Sequence, residues 1–227
     1  MIGFKVCERN RRVEQSWVEA FRALPVSTLS DSMSRMSSGG TLLRPFYTGG
    51  RMVGTAVTVK TRPGDNLMVH KAMDMAEPGD IIVVDAGGDL TNAIIGELMV
   101  AHAAQRNLGG LVIFGAIRDS DELIKGAMPV FAVGVTHRGP YKDGPGAVNV
   151  PIAINGMVIH PGDLVCGDAD GVLAVPFAEV AAVHAAAAQK CRDEEQLMAS
   201  IVAGTSERSW IDDILRRKGC SFEQGIL

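Results

Sequence analysis

Three residues of this chain are of types that suit chemistry on a small anionic substrate. Arg118 and Asp119 stand together after the apolar run GGLVIFGAI, and twenty residues separate them from Glu97. A hard carboxylate such as Asp119 is a donor that Mg2+ or Mn2+ accepts while keeping several waters. A guanidinium beside it can hold a carboxylate or a developing enolate oxygen in a fixed fork. A charged pair closing a buried strand reads as a site, because ligands of open α/β sheets gather at the carboxyl ends of strands. A structural Arg–Asp ion pair is the competing reading. Glu97 lies in the buried-looking stretch AIIGELMVAHAA, where a carboxylate requires a partner or a solvated face. The loop Asp85-Ala-Gly-Gly-Asp89 is a third candidate, since glycines between a strand and a helix let backbone approach an anion. A plain tight turn accounts for it as well, and it matches neither the dinucleotide fingerprint nor the P-loop.

Positioning these residues takes an alternation of strands and helices. Val13, Trp17, Val18, Phe21 and Leu24 recur at helical spacing, and Pro25 closes that helix. Ser27-Thr28-Leu29-Ser30-Asp31 offers side-chain oxygens to cap a short helix after it. MVGTAVTVKT alternates at period two and reads as a strand, followed by a helix from about 65 to 76. Pro-Gly-Asp turns occur at 63–65, 78–80 and 161–163, the last two feeding the β-branched runs IIVVDA and LVCGDADGVLAVP. Between those runs, LTNAIIGELMVAHAAQRN reads as one amphipathic helix, GGLVIFGAI as a short buried strand and PVFAVGVT as the next. VNVPIAINGMVIHPGD reads as a hairpin turning at Asn155-Gly156, and the C-terminal third as helical. No charge run or Ser/Gly linker divides the chain, so the expectation is one α/β domain with a mixed sheet over 1–227, carrying a helical tail at about 178–220.

Composition narrows the partners. The 227 residues carry 22 Lys+Arg against 26 Asp+Glu, a net charge of −4 without a basic cluster, which argues against a nucleic-acid binder. Cys7, Cys166, Cys191 and Cys220 have no C-x-x-C spacing and read as reduced thiols. The N-terminus lacks the apolar stretch of a signal peptide and no run of 18 apolar residues exists, so a cytoplasmic location is expected. The five histidines form no metal-binding pattern and are set aside, His70 and His102 included. His137-Arg138 and Tyr141-Lys142 occupy a Gly/Pro-rich loop read as solvated, although two basic residues there could select a dicarboxylate tail. Asp168 and Asp170 resemble a metal pair by type, but Asp-x-Asp-Gly at a strand turn more often bonds backbone.

Glu97, twenty residues, then Arg118-Asp119 resembles the acid-x20-Arg-Asp signature of the RraA-like family. Thr28-Leu29-Ser30-Asp31, Pro78-Gly79-Asp80 with Val84-Asp85, and Pro161-Gly162-Asp163 through Asp168-Ala-Asp170-Gly171-Val172 resemble further elements of that family, over roughly 15–200. The resemblance implies an αββα sandwich of the swivelling β/β/α type, assembled as homotrimers or hexamers with sites between subunits. It implies a class II pyruvate aldolase acting on 4-hydroxy-4-methyl-2-oxoglutarate or 4-carboxy-4-hydroxy-2-oxoadipate, with oxaloacetate decarboxylation as a side activity. By the same resemblance, Asp119 would bind Mg2+ (or Mn2+) directly. Arg118 would hold the 2-oxo oxygen and stabilise the enolate, and Glu97 would hold a metal-bound water. The amides of Leu98 and Met99, after Gly96, would take the pyruvyl carboxylate. Many aldolases of the family carry Asp where this chain has Glu97. The alternative is the family's regulator branch, which binds a ribonuclease without catalysis. The regulator lacks the Asp after the arginine, so Asp119 favours the enzyme. Methyltransferase labels attached to the family find no glycine-rich S-adenosylmethionine loop here.

Overall fold

The architecture follows four β-branched runs that pair in parallel. A computed structural model describes residues 3–223. In chain order its elements are β1 (Lys5–Val6), α1 (Gln15–Arg22), α2 (Val26–Ser32), β2 (Arg44–Pro45), β3 (Met52–Thr61), α3 (Leu67–Met75), β4 (Ile81–Asp85) and β5 (Ala93–Ile95). There follow α4 (Glu97–Gln105), β6 (Gly110–Ile117), α5 (Ser120–Lys125), β7 (Val130–Val135), β8 (Gly146–Val148), β9 (Ile152–Ile154), β10 (Met157–Ile159), β11 (Leu164–Asp168), β12 (Gly171–Val175), α6 (Val180–Val202) and α7 (Trp210–Arg217).

The result is the mixed α/β fold expected. β3, β4, β6 and β7 lie side by side in parallel, with β8 and β2 antiparallel at the flanks and β1 parallel to β8. All of β4 and all of β3 except Lys60 are buried, as befits strands covered on both faces. The period-two pattern of β3 therefore marks no exposed face. Met68, Val69, Ala72 and Met73 of α3 pack with Val57, Val59, Ile82 and Val84 in one buried apolar cluster. One edge of β3 is shared: Met52–Thr55 pairs with β11 and Val59–Thr61 with β8. β9 and β10 form the hairpin expected at Asn155-Gly156, both turn residues having positive φ (48° and 85°) as a type I′ turn demands.

The three Pro-Gly-Asp turns are fastened by their aspartates, all buried to within 2 %. Asp65 accepts the N–H groups of Leu67, Asp143 and Gly144 at 2.7–3.0 Å and the Arg62 guanidinium at 3.2 Å. Burial alone would raise its pKa, but those four donors outweigh it and hold the carboxyl below its ordinary value. Asp80 accepts the Glu77 N–H and Arg9 (both 2.8 Å), with Arg12 at 3.3 Å. Asp163 accepts the N–H groups of His160 and Phe177 and pairs with Arg11 at 3.3 Å. The segment 9–12 thus ties two of these turns with alternating arginines.

Three local expectations need correction. Residues 90–107 do not form one helix: Ala93–Ile95 pair with β6 as β5, and α4 starts only at Glu97. The β-branched, fully buried Ile94 and Ile95 suit a strand, and Gly96 breaks the chain between the two elements. The loop Asp85–Asp89 consequently leads to a strand, not a helix. Asp85 bonds Lys60 at 2.6 Å and the Gly87 N–H at 3.0 Å, the pattern of a turn. Finally, Ser27–Asp31 lie inside α2 and none caps it. Pro25 occupies the cap position without a side-chain acceptor, and Asp168 supplies one from β11, accepting the Val26 N–H at 2.9 Å. Its other oxygen accepts the Asp170 N–H at 3.0 Å, so this aspartate bonds backbone as expected.

Contacts divide the chain into residues 1–188 and 189–227. Among the described residues, the second unit comprises the end of α6 and all of α7. Within α7, Arg216 pairs with Asp212 and Asp213 one turn earlier. All four cysteines are free thiols, and no helix among the described residues is long and apolar enough to cross a membrane.

Candidate active site

The end of β6 and the start of α4 meet at Gly96. The Arg118 N–H donates to the Ile95 carbonyl at 3.0 Å, which fastens β6 to β5 where both strands end. Asp119 then takes a left-handed backbone conformation (φ 58°, ψ 35°) and occupies the cap position of α5, yet its carboxylate does not cap that helix. It reaches α4 instead, where Oδ2 accepts the Glu97 N–H at 3.0 Å. The Arg118 Nε lies 3.6 Å from the same oxygen, and both side chains are about 40 % exposed. Gly96 makes this approach possible: a Cβ there would fall 2.9 Å from Arg118 Cγ and overlap Asp119 Oδ2.

The three residues singled out from sequence therefore converge, bordering one open cleft of about 460 Å³ with Ser120, Glu122 and His137. Glu97 is the first residue of α4 and exposed, so solvent rather than a buried partner meets its charge. The Met99 N–H donates to the Gly96 carbonyl at 3.1 Å inside the first turn. Of the two amides expected to bind a carboxylate, only that of Leu98 lacks an acceptor within the helix. Asp85 and Asp89 do not border this cleft.

A second cavity, of about 210 Å³, lies against Arg118 and the start of α4. It brings in residues that sequence patterns passed over or set aside: Asn66, His70 and Lys142. Asn66 follows the buried Asp65 of the first Pro-Gly-Asp turn, which is the one signal that could have marked it. Burial, then the Lys142 and His102 charges, push His70 below the usual imidazole range, against the opposing effect of Asp74. His102 itself is exposed on α4.

The donor set of the cleft bears on a divalent metal. Among the described residues, no three His, Cys, Asp or Glu side chains converge as a cage. Mg2+ needs none, because it binds through one or two carboxylates and fills its shell with water and substrate oxygens. Asp119 fits that demand: it borders the cleft, and its Oδ2 is held by a backbone N–H, which orients the group.

Comparison with known proteins identifies the family. A family model described as RraA-like, Aldolase/RraA, matches residues 26–174. A protein of Halalkalibacterium halodurans named "Putative 4-hydroxy-4-methyl-2-oxoglutarate aldolase" is 39 % identical over 184 residues, covering 81 % of this chain and 88 % of that one. An uncharacterized protein from Pseudomonas syringae pv. tomato superposes with a TM-score of 0.76 at 27 % identity, over 85 % of this chain and 95 % of that structure. Streptomyces coelicolor RraAS2, described as an unusual member of the RNase ES inhibitor RraA family, superposes with a TM-score of 0.74 over 82 % and 96 % of the two chains. At 24 % identity that likeness speaks for the fold alone.

Proposed function

Because the chain belongs to the RraA-like family, we propose that it is a divalent-metal-dependent lyase. It cleaves 4-hydroxy-4-methyl-2-oxoglutarate, or the related 4-carboxy-4-hydroxy-2-oxoadipate, to pyruvate and a second 2-oxo acid. The observation that carries this reading is the Asp119 carboxylate, turned from its own helix onto the Glu97 N–H beside Arg118. Mg2+ or Mn2+ at Asp119 would supply Lewis-acid polarisation of the 2-oxo group.

The chain's own groups account for the remaining steps. The Arg118 fork holds the 2-oxo oxygen, where negative charge grows as the C3–C4 bond breaks. The electron pair of that bond moves into a C2–C3 enolate, and C4 becomes the carbonyl carbon of the departing oxo acid. Glu97, exposed on the same cleft, takes the C4 hydroxyl proton through an intervening water. A proton returned to C3 completes pyruvate. Oxaloacetate gives the same enolate by losing CO2, so decarboxylation accompanies the aldol reaction. Assembly of copies as a trimer or hexamer would cover the open side of the cleft.

The test is pyruvate release, coupled to NADH oxidation, from 4-hydroxy-4-methyl-2-oxoglutarate and separately from oxaloacetate, with Mg2+, Mn2+ or EDTA. Metal-dependent release from the aldol is the expected result. Release from oxaloacetate alone would keep the enolate chemistry and discard the substrate. A folded protein inert toward both would remove the enzyme reading in favour of a binding protein.

A further inference from the structure

Among its described residues, the C-terminal unit holds two helical stretches and no core. No residue over 189–223 is buried. Isolated helices of this length are marginal in water, and segments of under about forty residues rarely close a core alone. Both helices carry the same unfinished pattern. At the end of α6, Leu197, Met198, Ile201 and Val202 fall at i, i+1, i+4 and i+5, one face of a helix, and all four are more than half exposed. In α7, Trp210, Ile211, Ile214 and Leu215 repeat that spacing, with Trp210 57 % exposed.

The charge pattern selects the partner. The sequence of α7, WIDDILRR, alternates its apolar pairs with an acidic pair in the first turn and a basic pair in the last. Arg216 is engaged within the helix, 3.7 Å from Asp212 and 3.5 Å from Asp213. Arg217 donates to the Asp213 carbonyl at 3.4 Å and has no carboxylate partner among the described residues. Asp213 and Arg217, four residues apart, lie on one flank of the apolar stripe. An antiparallel neighbour of the same sequence sets Asp213 opposite Arg217 twice, once at each end of the contact. A parallel neighbour sets like charges together, and a partner of uniform charge satisfies one end only.

We infer that the C-terminal units of two copies of this chain pair about a two-fold axis, α7 antiparallel to α7, with the α6 stripes enlarging the shared core. Such a contact is isologous, each copy offering the same patch. The apolar side chains of the two stripes, taken from both copies, bring about 1,200–1,600 Å² to it, the size of a stable interface. The Asp213–Arg217 pairs at its rim add little affinity and fix the direction of the helices. The pairing uses none of the residues that border either cavity. It therefore doubles whatever assembly residues 1–188 form, and it stands or falls independently of the aldolase reading.

Sedimentation velocity of the full chain, over a range of concentrations, tests this. Arg217→Asp and Asp213→Arg each place like charges at both ends of the contact. Each is expected to weaken pairing at least about tenfold and to halve the sedimenting mass. An equimolar mixture of the two variants again sets opposite charges together and is expected to recover the wild-type mass, which a variant that had merely lost its fold could not do. Trp210→Ser is expected to halve the mass alone and in every mixture. Charge variants that sediment as wild type, or a mixture that stays at half the mass, would overturn the antiparallel pairing. A Trp210→Ser chain of wild-type mass would overturn the apolar contact.

Discussion

Asp65 and Asp119 both stand at the start of a helix, and both accept backbone N–H groups, yet one is a fastening and the other a candidate reactive group. The difference lies in how many donors each carboxylate meets. Asp65 is fully buried and meets three N–H groups and a guanidinium, which leaves it nothing to offer a ligand. Asp119 meets one N–H, from the neighbouring helix α4, and its partly exposed side chain borders the cleft. It does so from a left-handed backbone conformation that non-glycine residues rarely adopt, although Asp tolerates it better than most. An aspartate is a site here when its surroundings orient it without saturating it.

Substitutions can break that contrast. Asn at 119 keeps an acceptor for the Glu97 N–H and tolerates positive φ, but loses the charge a cation needs. Asp119→Asn is therefore expected to lower metal-dependent kcat on the order of a thousandfold while shifting stability by no more than about 0.5 kcal/mol, checked by turnover and urea unfolding. Wild-type turnover in that variant would dissolve the distinction. Asp65→Ala should show the reverse pattern: about 3 kcal/mol of stability lost, because four donors lose a buried partner. A smaller effect is expected at the joint between the two elements. Gly96→Ala pushes Asp119 and Arg118 apart, so turnover should fall about 10- to 100-fold with the fold intact.

The smallest effect is the pH dependence that Asp65 lends to stability. Asp65 is held below its unfolded value, so its contribution to stability is complete above that value and lost as pH falls through the lower, folded one. Wild-type unfolding midpoints should drop on acidification below about pH 4. Asp65→Asn should start lower at pH 7 and lose less over the same interval. An unchanged acid slope in that variant would mean that other carboxylates set it.

Much of this was legible in the sequence. The strand at Met52–Thr61 and the Asn155-Gly156 turn were readable because β-branched runs and turn residues signal locally. The pairing of Glu97 with Arg118-Asp119 was legible from the resemblance to the family's acid-x20-Arg-Asp signature. The break at Gly96 was not, since AII and LMVAHAA form one apolar run and the crowding that demands glycine comes from residues twenty positions away. Asn66 and His70 were illegible for the same reason: a buried atom without a partner has no signature in composition or period.

The shared edge of β3 carries a consequence for synthesis. Its first residues, Met52–Thr55, wait for Leu164–Gly167, more than a hundred positions downstream, before their backbone groups are paired on that side. At translation rates of about 5–20 residues per second, that edge stays open for several seconds on the ribosome. A nascent or truncated chain ending before β11 carries a bare, apolar template that other chains can extend. Expression of fragments stopping near residue 160 is therefore a problem of aggregation, and the late hairpin β11–β12 is the piece that closes it.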